Sequence, residues 1–348
     1  AEEPRSGLVK LDANESPFAL GSAMREELAA ELAKALAGVE LHRYPDPEAR
    51  ELRRLLARDL GVTPEQVLAT NGSDEAIQML LTAVAGPGVT VAAPVPTFVM
   101  YELGARVLGL RFLGVPLSDG FDLDAAQFCA ALKVVPPRLV FLAWPNNPTG
   151  RLYDVAAVEE IVRLCNGQGC EALVVVDEAY THYAGQTFLP KLGQYPNLVI
   201  LRTLSKIGLA GIRLGILVAN AAVVEEINKV RLPYNVNSLS QAAARVVLGH
   251  PEVVKSHASA VVRERDRVLS RLREVPGLTV YPSQANFVLI RTAQPGDEVF
   301  RGLLERGILV RNFSRTPSLA DCLRVTIGTP EENEAFLSAL SAVCGPGR

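Results

Sequence analysis

The sequence predicts an α/β protein with a large domain, built on a mostly parallel sheet of seven strands, and a smaller α+β domain near the C-terminal end. Two observations support this prediction. Between residues 67 and 220, short apolar runs alternate with helical patterns, and runs such as LVFLA at 139–143 are apolar throughout, which is typical of strands covered by helices on both faces. The last third mixes long helical patterns with short apolar runs, which favours a separate α+β unit.

The elements are expected in the following order. Residues 1–20 have a loop-like composition and predict an irregular arm. Helices are expected over 22–36 and over 46–60, where Asp46 suits a capping position and Gly61 suits a helix end. The strands of the large sheet are expected at 67–70, 89–93, 111–115, 138–143, 172–176, 198–202 and 214–219. Helices follow at about 221–231, 239–248 and 252–274, and strands near 286–291, 308–311 and 323–327.

This order also predicts the domain organisation. We expect residues 1–40 to form an arm and a helix that pack with the small domain, residues 41–262 to form the large domain, and residues 263–348 to form the small domain. A chain of 348 residues is long enough for two such domains. Ligands of open α/β sheets bind at the carboxyl ends of the strands, so the large domain is expected to carry the binding site.

Composition limits the partners of the protein. The chain has 35 basic and 38 acidic residues, a net charge of −3 and no long block of like charge, so neither nucleic acid nor a membrane surface is expected as a partner. The first residues do not resemble a signal peptide, and no apolar run is long enough to span a bilayer. Five cysteines without a CxxC pair favour reduced thiols in a cytoplasm. The four histidines lack paired ligand spacing, so no metal site is predicted.

Polar motifs follow three of the predicted strands. WPNNPTG occupies 144–150, DEAY occupies 177–180 and TLSK occupies 203–206. Because the carboxyl ends of parallel strands meet at one edge of a sheet, these side chains are expected to converge. Lys206 suits a lysine that forms a Schiff base with a carbonyl. Pyridoxal phosphate is such a carbonyl compound, and its pyridine nitrogen needs a carboxylate partner, which Asp177 supplies.

The remaining groups of pyridoxal phosphate also have candidate partners. Tyr180 and Asn147 are placed to hydrogen-bond its phenolic oxygen, which tunes the proton affinity of the imine. Residues 71–75, NGSDE, lie between a short strand and a helix, so their backbone N–H groups suit a phosphate. Ser205 and Arg213 add a hydroxyl group and a guanidinium group.

Each of these signals has an ordinary explanation when it stands alone. Lys206 would be a surface lysine, Asp177 a helix cap, and the NGSDE and NNPTG segments would be turns. Their occurrence in one order, each at a predicted strand end, favours a single shared site instead.

The order NGSDE, PNNPTG, DEAY, TLSK and GLAGIRLG resembles that of the fold-type-I pyridoxal-phosphate aminotransferases. Further segments resemble the histidinol-phosphate aminotransferase branch of that family, and the resemblance covers nearly the whole chain. These segments are LDANESP near the start, HRYPDP at 42–47, PTFVMY at 96–101, GILVRNF and CLRVTIGTPEEN.

The resemblance implies a role for each matching residue. Lys206, Asp177 and Tyr180 are implied as catalytic. The residues implied to bind the cofactor are Ser73, Asp74, Phe98, Asn147, Asp177, Tyr180, Ser205, Lys206 and Arg213. The residues implied to bind the substrate are Asn14, Phe18, Asn147, Arg311 and Arg324. Tyr44 is implied to reach the cofactor phosphate of a neighbouring subunit, which makes the protein an obligate homodimer with shared active sites.

Three departures from the family pattern bear on these roles. Phe98 replaces a usual tyrosine: its ring can stack on the cofactor but has no hydroxyl group. Phe18 likewise replaces a tyrosine that often contacts the substrate phosphate. Arg213 follows Lys206 by seven positions where eight is common.

The activity implied by the resemblance is transamination of L-histidinol phosphate with 2-oxoglutarate, giving imidazole-acetol phosphate and glutamate in histidine biosynthesis. Two alternatives share nearly every motif: an aromatic amino-acid aminotransferase and a decarboxylase of a threonine phosphate. A regulatory protein that senses the cofactor would need a basic DNA-binding domain, for which this chain has no room.

Overall fold

The computed structural model describes residues 7–18, 25–167 and 170–345. The described strands, in chain order, are β1 Val9–Leu11, β2 Val67–Asn71, β3 Thr90–Val95, β4 Arg111–Pro116, β5 Leu139–Ala143, β6 Leu173–Asp177, β7 Leu198–Thr203, β8 Leu214–Ala219, β9 Leu278–Val280, β10 Phe287–Thr292, β11 Ile308–Asn312 and β12 Cys322–Thr326.

The described helices, in chain order, are α1 Arg25–Ala37, α2 Arg50–Leu60, α3 Gly72–Ala83, α4 Val99–Val107, α5 Ala125–Val134, α6 Val155–Leu164, α7 Thr181–Ala184, α8 Ala221–Asn228, α9 Ser238–Leu248, α10 Pro251–Leu272, α11 Gly296–Glu305 and α12 Pro330–Cys344. Over these three described ranges, none of the helices has both the length and the apolar character that crossing a membrane requires.

The large sheet has the strand order β2-β8-β7-β6-β5-β3-β4. β8 runs antiparallel to both of its neighbours, and the other pairs are parallel. Successive residues of β6 show why the strands are apolar throughout: Val174 and Val176 pack into the core on one face, and Val175 packs into the core on the other. The predicted mostly parallel, seven-stranded sheet is therefore confirmed.

The small sheet has the strand order β1-β11-β12-β10-β9. Its core contains Phe287 from β10 and Phe336 from α12, and both side chains are fully buried. The arm is not irregular throughout as expected, because β1 pairs in parallel with β11. Three residues are too few to show an alternating pattern, and their partner lies almost 300 positions along the chain, so local sequence does not indicate this strand.

The two N-terminal helices also differ from expectation. The predicted start of the first, at residue 22, lies outside the described residues. Asp46 does not cap α2, although its carboxylate accepts hydrogen bonds from the backbone N–H groups of Glu48 and Arg50. Ala49 adopts a left-handed conformation with φ 43°, so the helix begins only at Arg50. Gly61 has φ 68° and ends α2 as expected.

α1 belongs to the range 1–40 that is expected to pack with the small domain, and it packs against α9, within the range 41–262. The pairing is supported by a 3.1 Å contact between Glu31 Oε2 of α1 and His250 Nε2, which follows α9. Both helices carry several alanines, and such small side chains allow close helix packing. The domain boundaries themselves stay a prediction.

Candidate active site

A cavity of about 350 Å³ lies between the carboxyl ends of the central large-sheet strands and the small sheet. It brings together nearly all the residues predicted from the sequence. The predicted residues that line it are Asn14, Ser73, Asp74, Phe98, Asn147, Asp177, Tyr180, Ser205, Lys206, Arg213, Arg311 and Arg324.

Asp177, the last residue of β6, is a buried carboxylate. Its Oδ2 accepts a hydrogen bond from the hydroxyl of Tyr101 at 2.7 Å, and its Oδ1 accepts one from the N–H of Ala179 at 3.1 Å. Burial raises the pKa of Asp177 to about 6, although these two hydrogen bonds act to lower it. In the described part of the chain, no lysine or arginine forms an ion pair with it. A buried carboxylate of this kind is suited to a cationic ligand.

Tyr101 has no role in the sequence-based prediction, yet it is a central contact of the site. It lies on α4, is fully buried, and stacks on Phe141 with ring centroids 4.4 Å apart. Burial and the nearby Asp177 raise the pKa of Tyr101 well above its usual range, so it stays a hydrogen-bond donor. A tyrosine on the apolar face of a helix needs a partner for its hydroxyl, and this signal could have identified it.

Lys206 lies in a short 3₁₀ turn after β7. Gly208 follows with φ 97°, a conformation that favours glycine, and turns the chain back toward β8. The Lys206 Nζ atom donates to the carbonyl oxygen of Ala13 at 3.4 Å and lies 6.0 Å from the centre of the Tyr180 ring. The amine therefore faces the cavity.

Tyr180 and Asn147 lie on the same cavity and contact elements on its small-sheet side. The hydroxyl oxygen of Tyr180 accepts a hydrogen bond from Asn14 Nδ2 at 2.9 Å. Asn147 Oδ1 accepts one from Arg324 Nη1 at 2.6 Å, which leaves the Asn147 N–H groups free to donate into the cavity.

The N-terminus of α3 and two side chains form an anion-binding corner. Gly72 begins α3 with φ 76°, and a Cβ atom at this position would lie 2.6 Å from Arg213 Nη2, so only glycine leaves room for the guanidinium group. Arg213 donates to Ser205 Oγ and to Asp74 Oδ2, both at 3.3 Å. The seven-residue spacing therefore still brings Arg213 beside Ser205 and the helix start, where backbone N–H groups and a guanidinium suit a phosphate.

Two arginines lie opposite this corner in the small sheet. Arg311 of β11 and Arg324 of β12 are direct partners in an antiparallel pair. Arg324 is buried and donates to the Asp12 carbonyl oxygen at 2.8 Å, and its Nε has no hydrogen-bond partner among the described residues. Burial lowers the pKa of Arg324 to about 10, and the nearby Arg311 acts in the same direction. Across residues 7–18, 25–167 and 170–345, neither arginine forms a salt bridge to a carboxylate, so the pair is suited to an anionic ligand.

Two predicted residues are not brought to the cavity of their own chain. Phe18 packs against His257, with ring centroids 5.2 Å apart, and against the small-domain core. Its ring has no polar group to place near a phosphate, so it packs with apolar neighbours. Tyr44 is 80% exposed and stacks on Tyr234, with ring centroids 4.5 Å apart.

The lining residues fit pyridoxal phosphate. Asp177 suits a protonated pyridine nitrogen, because it is a buried carboxylate without a cationic partner among the described side chains. The corner at α3 suits the phosphate group, Tyr180 and Asn147 suit the phenolic oxygen, and Lys206 suits the carbonyl carbon.

Comparison with known proteins identifies the family. The family model "Aminotransferase class I and II" matches residues 6–340. The chain is 46% identical over 339 residues to histidinol-phosphate aminotransferase 1 of Ralstonia nicotianae, covering 97% of this chain and 89% of the relative. It is 47% identical over 338 residues to histidinol-phosphate aminotransferase 2 of Cupriavidus pinatubonensis, covering 97% and 91%.

A solved structure supports the cofactor. The structure of histidinol-phosphate aminotransferase from Sinorhizobium meliloti in complex with pyridoxal-5'-phosphate matches with a TM-score of 0.85 and 26% identity, over 96% of this chain and 90% of that chain. Together with the lining residues, this match identifies pyridoxal 5'-phosphate as the cofactor. The chain belongs to the class I and II aminotransferases, and within them to the branch of the histidinol-phosphate aminotransferases.

Proposed function

We propose that this aminotransferase converts L-histidinol phosphate and 2-oxoglutarate into imidazole-acetol phosphate and glutamate, a step of histidine biosynthesis. The names of its relatives support this substrate. The structural observation that carries the proposal is the pair Arg311 and Arg324, which faces the cavity with no acidic partner among the described residues. Two adjacent guanidinium groups match the charge and geometry of a phosphate dianion.

When bound, pyridoxal phosphate accepts the electrons that are released when a bond to the substrate α-carbon breaks. Asp177 holds the proton on the ring nitrogen, because a buried carboxylate is stabilised by a cation beside it. Phe98 lines the same cavity and offers its ring face for stacking.

Lys206 moves the proton in the reaction. With cofactor and substrate bound, its Nζ atom, which faces the cavity, would take the proton from the substrate α-carbon and return it later in the reaction. Tyr180 and Asn147 donate hydrogen bonds at the phenolic oxygen. The two anionic ends are bound apart from each other: the cofactor phosphate at α3, Ser205 and Arg213, and the substrate phosphate at the arginine pair.

A substrate panel tests the proposal. The purified protein with bound cofactor is assayed with histidinol phosphate, phenylalanine, tyrosine, aspartate and threonine phosphate, each with 2-oxoglutarate, and glutamate and CO₂ are both measured. We expect the highest kcat/KM for histidinol phosphate and no CO₂. A preference for phenylalanine would identify an aromatic aminotransferase, and CO₂ from threonine phosphate would identify a decarboxylase. Either result would overturn the proposed substrate.

We further propose that the protein is a homodimer in which Tyr44 completes the partner's active site. Tyr44 stacks on Tyr234 at the surface, and Leu41 and Leu232, which are close to these two residues in sequence, are also exposed. Such a surface patch favours a protein interface. The cytoplasmic location indicated by the cysteine pattern stays a prediction.

Complementation between inactive variants tests the shared site. In a heterodimer of Tyr44→Ala and Lys206→Ala subunits, one site receives an intact Tyr44 and an intact Lys206, and the other receives neither. Random exchange makes half of the dimers mixed, so about a quarter of all sites should become active. No recovery after demonstrated subunit exchange would show that Tyr44 does not act across the interface.

A further inference from the structure

Asn14 connects the arm to both sides of the cavity. It follows β1, is buried, and has φ 55°, a left-handed conformation that asparagine adopts more readily than most residues. Its backbone N–H donates to Thr326 Oγ1 at 3.0 Å, and its carbonyl oxygen accepts from Asn286 Nδ2 at 3.0 Å. The small sheet therefore fixes the position of the Asn14 backbone.

The neighbours of the Asn14 side chain determine which way its amide group points. Oδ1 lies 3.3 Å from Thr326 Oγ1, and Nδ2 lies 2.9 Å from the Tyr180 hydroxyl oxygen. Thr326 accepts a hydrogen bond from the Asn14 backbone, so its own hydrogen is available to Oδ1. The amide nitrogen carries only donors. Asn14 therefore donates, and the Tyr180 oxygen accepts.

The direction of this hydrogen bond, from Asn14 to the Tyr180 oxygen, determines where the Tyr180 hydroxyl hydrogen points. The Tyr180 ring is buried and packs edge-on against Phe287, with centroids 5.1 Å apart, which restricts the hydroxyl to the cavity side. Since Asn14 offers no acceptor in this direction, the hydroxyl hydrogen points into the cavity. Lys206 and Arg324 are charged groups near Tyr180, and when protonated neither can accept this hydrogen.

We propose that Asn14 is a positioning residue for the reaction: its amide fixes the Tyr180 hydroxyl as a hydrogen-bond donor toward the phenolic oxygen of the cofactor. This goes beyond the substrate contact that the family resemblance implies for Asn14. The proposal rests on the proposed function in one respect, that the phenolic oxygen of the cofactor lies beside Tyr180. A hydrogen bond received by a hydroxyl also strengthens the one it donates, so Asn14 supports Tyr180 in two ways.

Absorbance titration of the protein with bound cofactor tests this role without relying on turnover. A hydrogen-bond donor at the phenolic oxygen stabilises the anionic form of that oxygen. Weakening the donor should therefore raise the apparent pKa of the bound cofactor, which is read from its visible absorbance band. Asn14→Gly removes the amide and keeps the left-handed backbone, and we expect a rise of roughly half a unit to one unit. Asn14→Asp keeps the shape but accepts the Tyr180 hydrogen, and we expect a larger rise, close to that of Tyr180→Phe.

The same substitutions in a Tyr180→Phe background separate positioning from other effects. Without a hydroxyl to direct, Asn14→Gly should add no further shift. The charge introduced by Asn14→Asp persists in that background, so its shift there gives the purely electrostatic contribution. Asn286→Ala is the matched control, because it removes one contact to the Asn14 backbone and keeps both Thr326 contacts, to the Asn14 N–H and to Oδ1. It should reduce thermal stability without moving the titration.

Three results would overturn the role of Asn14: an unchanged titration in Asn14→Gly, an equal shift in Asn286→Ala, or an Asn14→Gly shift that persists in full without the Tyr180 hydroxyl. Failure of the proposed function is distinguishable from these. It would appear in the wild-type protein, as activity toward a different substrate, while the titration of the variants would still report on Asn14.

Discussion

Asp177 and Glu178 are adjacent buried carboxylates at the end of β6, but they face two regions with different electrostatics. Glu178 points away from the cavity into a cluster, the Glu178 cluster, formed with Thr187 and Arg202. Its Oε2 atom accepts from Arg202 Nη2 at 2.9 Å and from the Thr187 hydroxyl at 2.8 Å. Asp177 lines the cavity, and within the part of the chain that the structure describes its hydrogen-bond donors are the neutral groups of Tyr101 and Ala179.

The arginines of the two regions differ in the same way. Arg202 forms an ion pair with Glu178, whereas the acceptors that the described residues offer to Arg324 are the neutral oxygens of Asn147 and Asp12. Isolated charge in a protein interior is unfavourable unless a partner compensates it. The Glu178 cluster has its partners in the folded chain and is structural. Among the described residues, Asp177 and Arg324 have no partner of opposite charge, so their charges would be compensated by the bound cofactor and substrate.

Replacing Asp177 should give the largest loss of activity. Asp177→Asn keeps the shape of the side chain but removes the charge that holds the proton on the cofactor ring. We expect kcat/KM to fall by roughly two to four decades, at about 1.4 kcal/mol of transition-state stabilisation per decade. Without cofactor, this variant should be at least as stable as wild type in denaturant unfolding near neutral pH, because it lacks the buried charge of Asp177. Near-wild-type turnover would contradict the contrast between Asp177 and Glu178, because it would show that the charge of Asp177 does not serve a cationic ligand.

Replacing Glu178 should show the opposite pattern. Glu178→Gln leaves Arg202 without its anionic partner, and breaking a buried ion pair costs about 3–5 kcal/mol. Arg202 keeps some solvent exposure, with 14% of its side chain accessible, so we expect a loss near the lower end, measured as the free energy of unfolding. The protein that remains folded should bind cofactor normally. A variant of full stability and low activity would instead make Glu178 part of the active site.

The arginine pair should give a smaller effect that depends on the substrate. Arg324→Ala should lower kcat/KM for histidinol phosphate by roughly two to three decades, since removing one partner of a buried charge pair costs about 2–5 kcal/mol. Arg311→Ala should affect histidinol phosphate more than phenylalanine, because a carboxylate needs fewer donors. Arg291→Ala is the matched control: Arg291 lies on β10 of the same sheet against Tyr281 and does not line the cavity. Equal effects on both substrates would argue against a phosphate site.

The sequence could predict the large sheet and most of the site for one physical reason. The strands of the large sheet are buried on both faces, so consecutive residues in them are apolar, as at 139–143. Polar residues that directly follow such strands must lie at the sheet edge. Local sequence therefore predicts that Lys206 and Asp177 lie at this edge, and both line the cavity.

What the sequence did not predict depends on contacts between distant residues. The parallel pairing of β1 with β11, the hydroxyl of Tyr101 on Asp177, and the direct opposition of Arg311 and Arg324 each join segments of the chain that pattern alone does not relate. The start of α2 was wrong for a local reason, because alanine rarely adopts the left-handed conformation found at Ala49. The sequence predicts most of the residues that line the cavity. Which of their charges have a partner depends on contacts between distant segments, and these contacts are seen only in the folded structure.

The smallest expected effect concerns the pH dependence of stability without cofactor. The folded-state pKa of Asp177 is raised from 3.8 to about 6 by burial, so the native chain binds this proton more tightly than the unfolded chain. Its contribution to stability is fully present below about pH 4 and is lost as the pH rises through about 6. At about 1.4 kcal/mol per pKa unit, the loss is at most about 3 kcal/mol.

Asp177→Asn has no proton to lose and serves as the reference. In denaturant unfolding of the cofactor-free proteins, wild type should lose stability relative to this variant between about pH 4 and pH 6, and stay parallel to it above. Glu178→Gln provides a second reference for the neighbouring carboxylate. Bound cofactor supplies the missing cation, so it should abolish or reverse the trend in wild type. If the relative stability of cofactor-free wild type rises with pH instead, Asp177 already has a cationic partner in the folded chain, and the contrast with Glu178 fails.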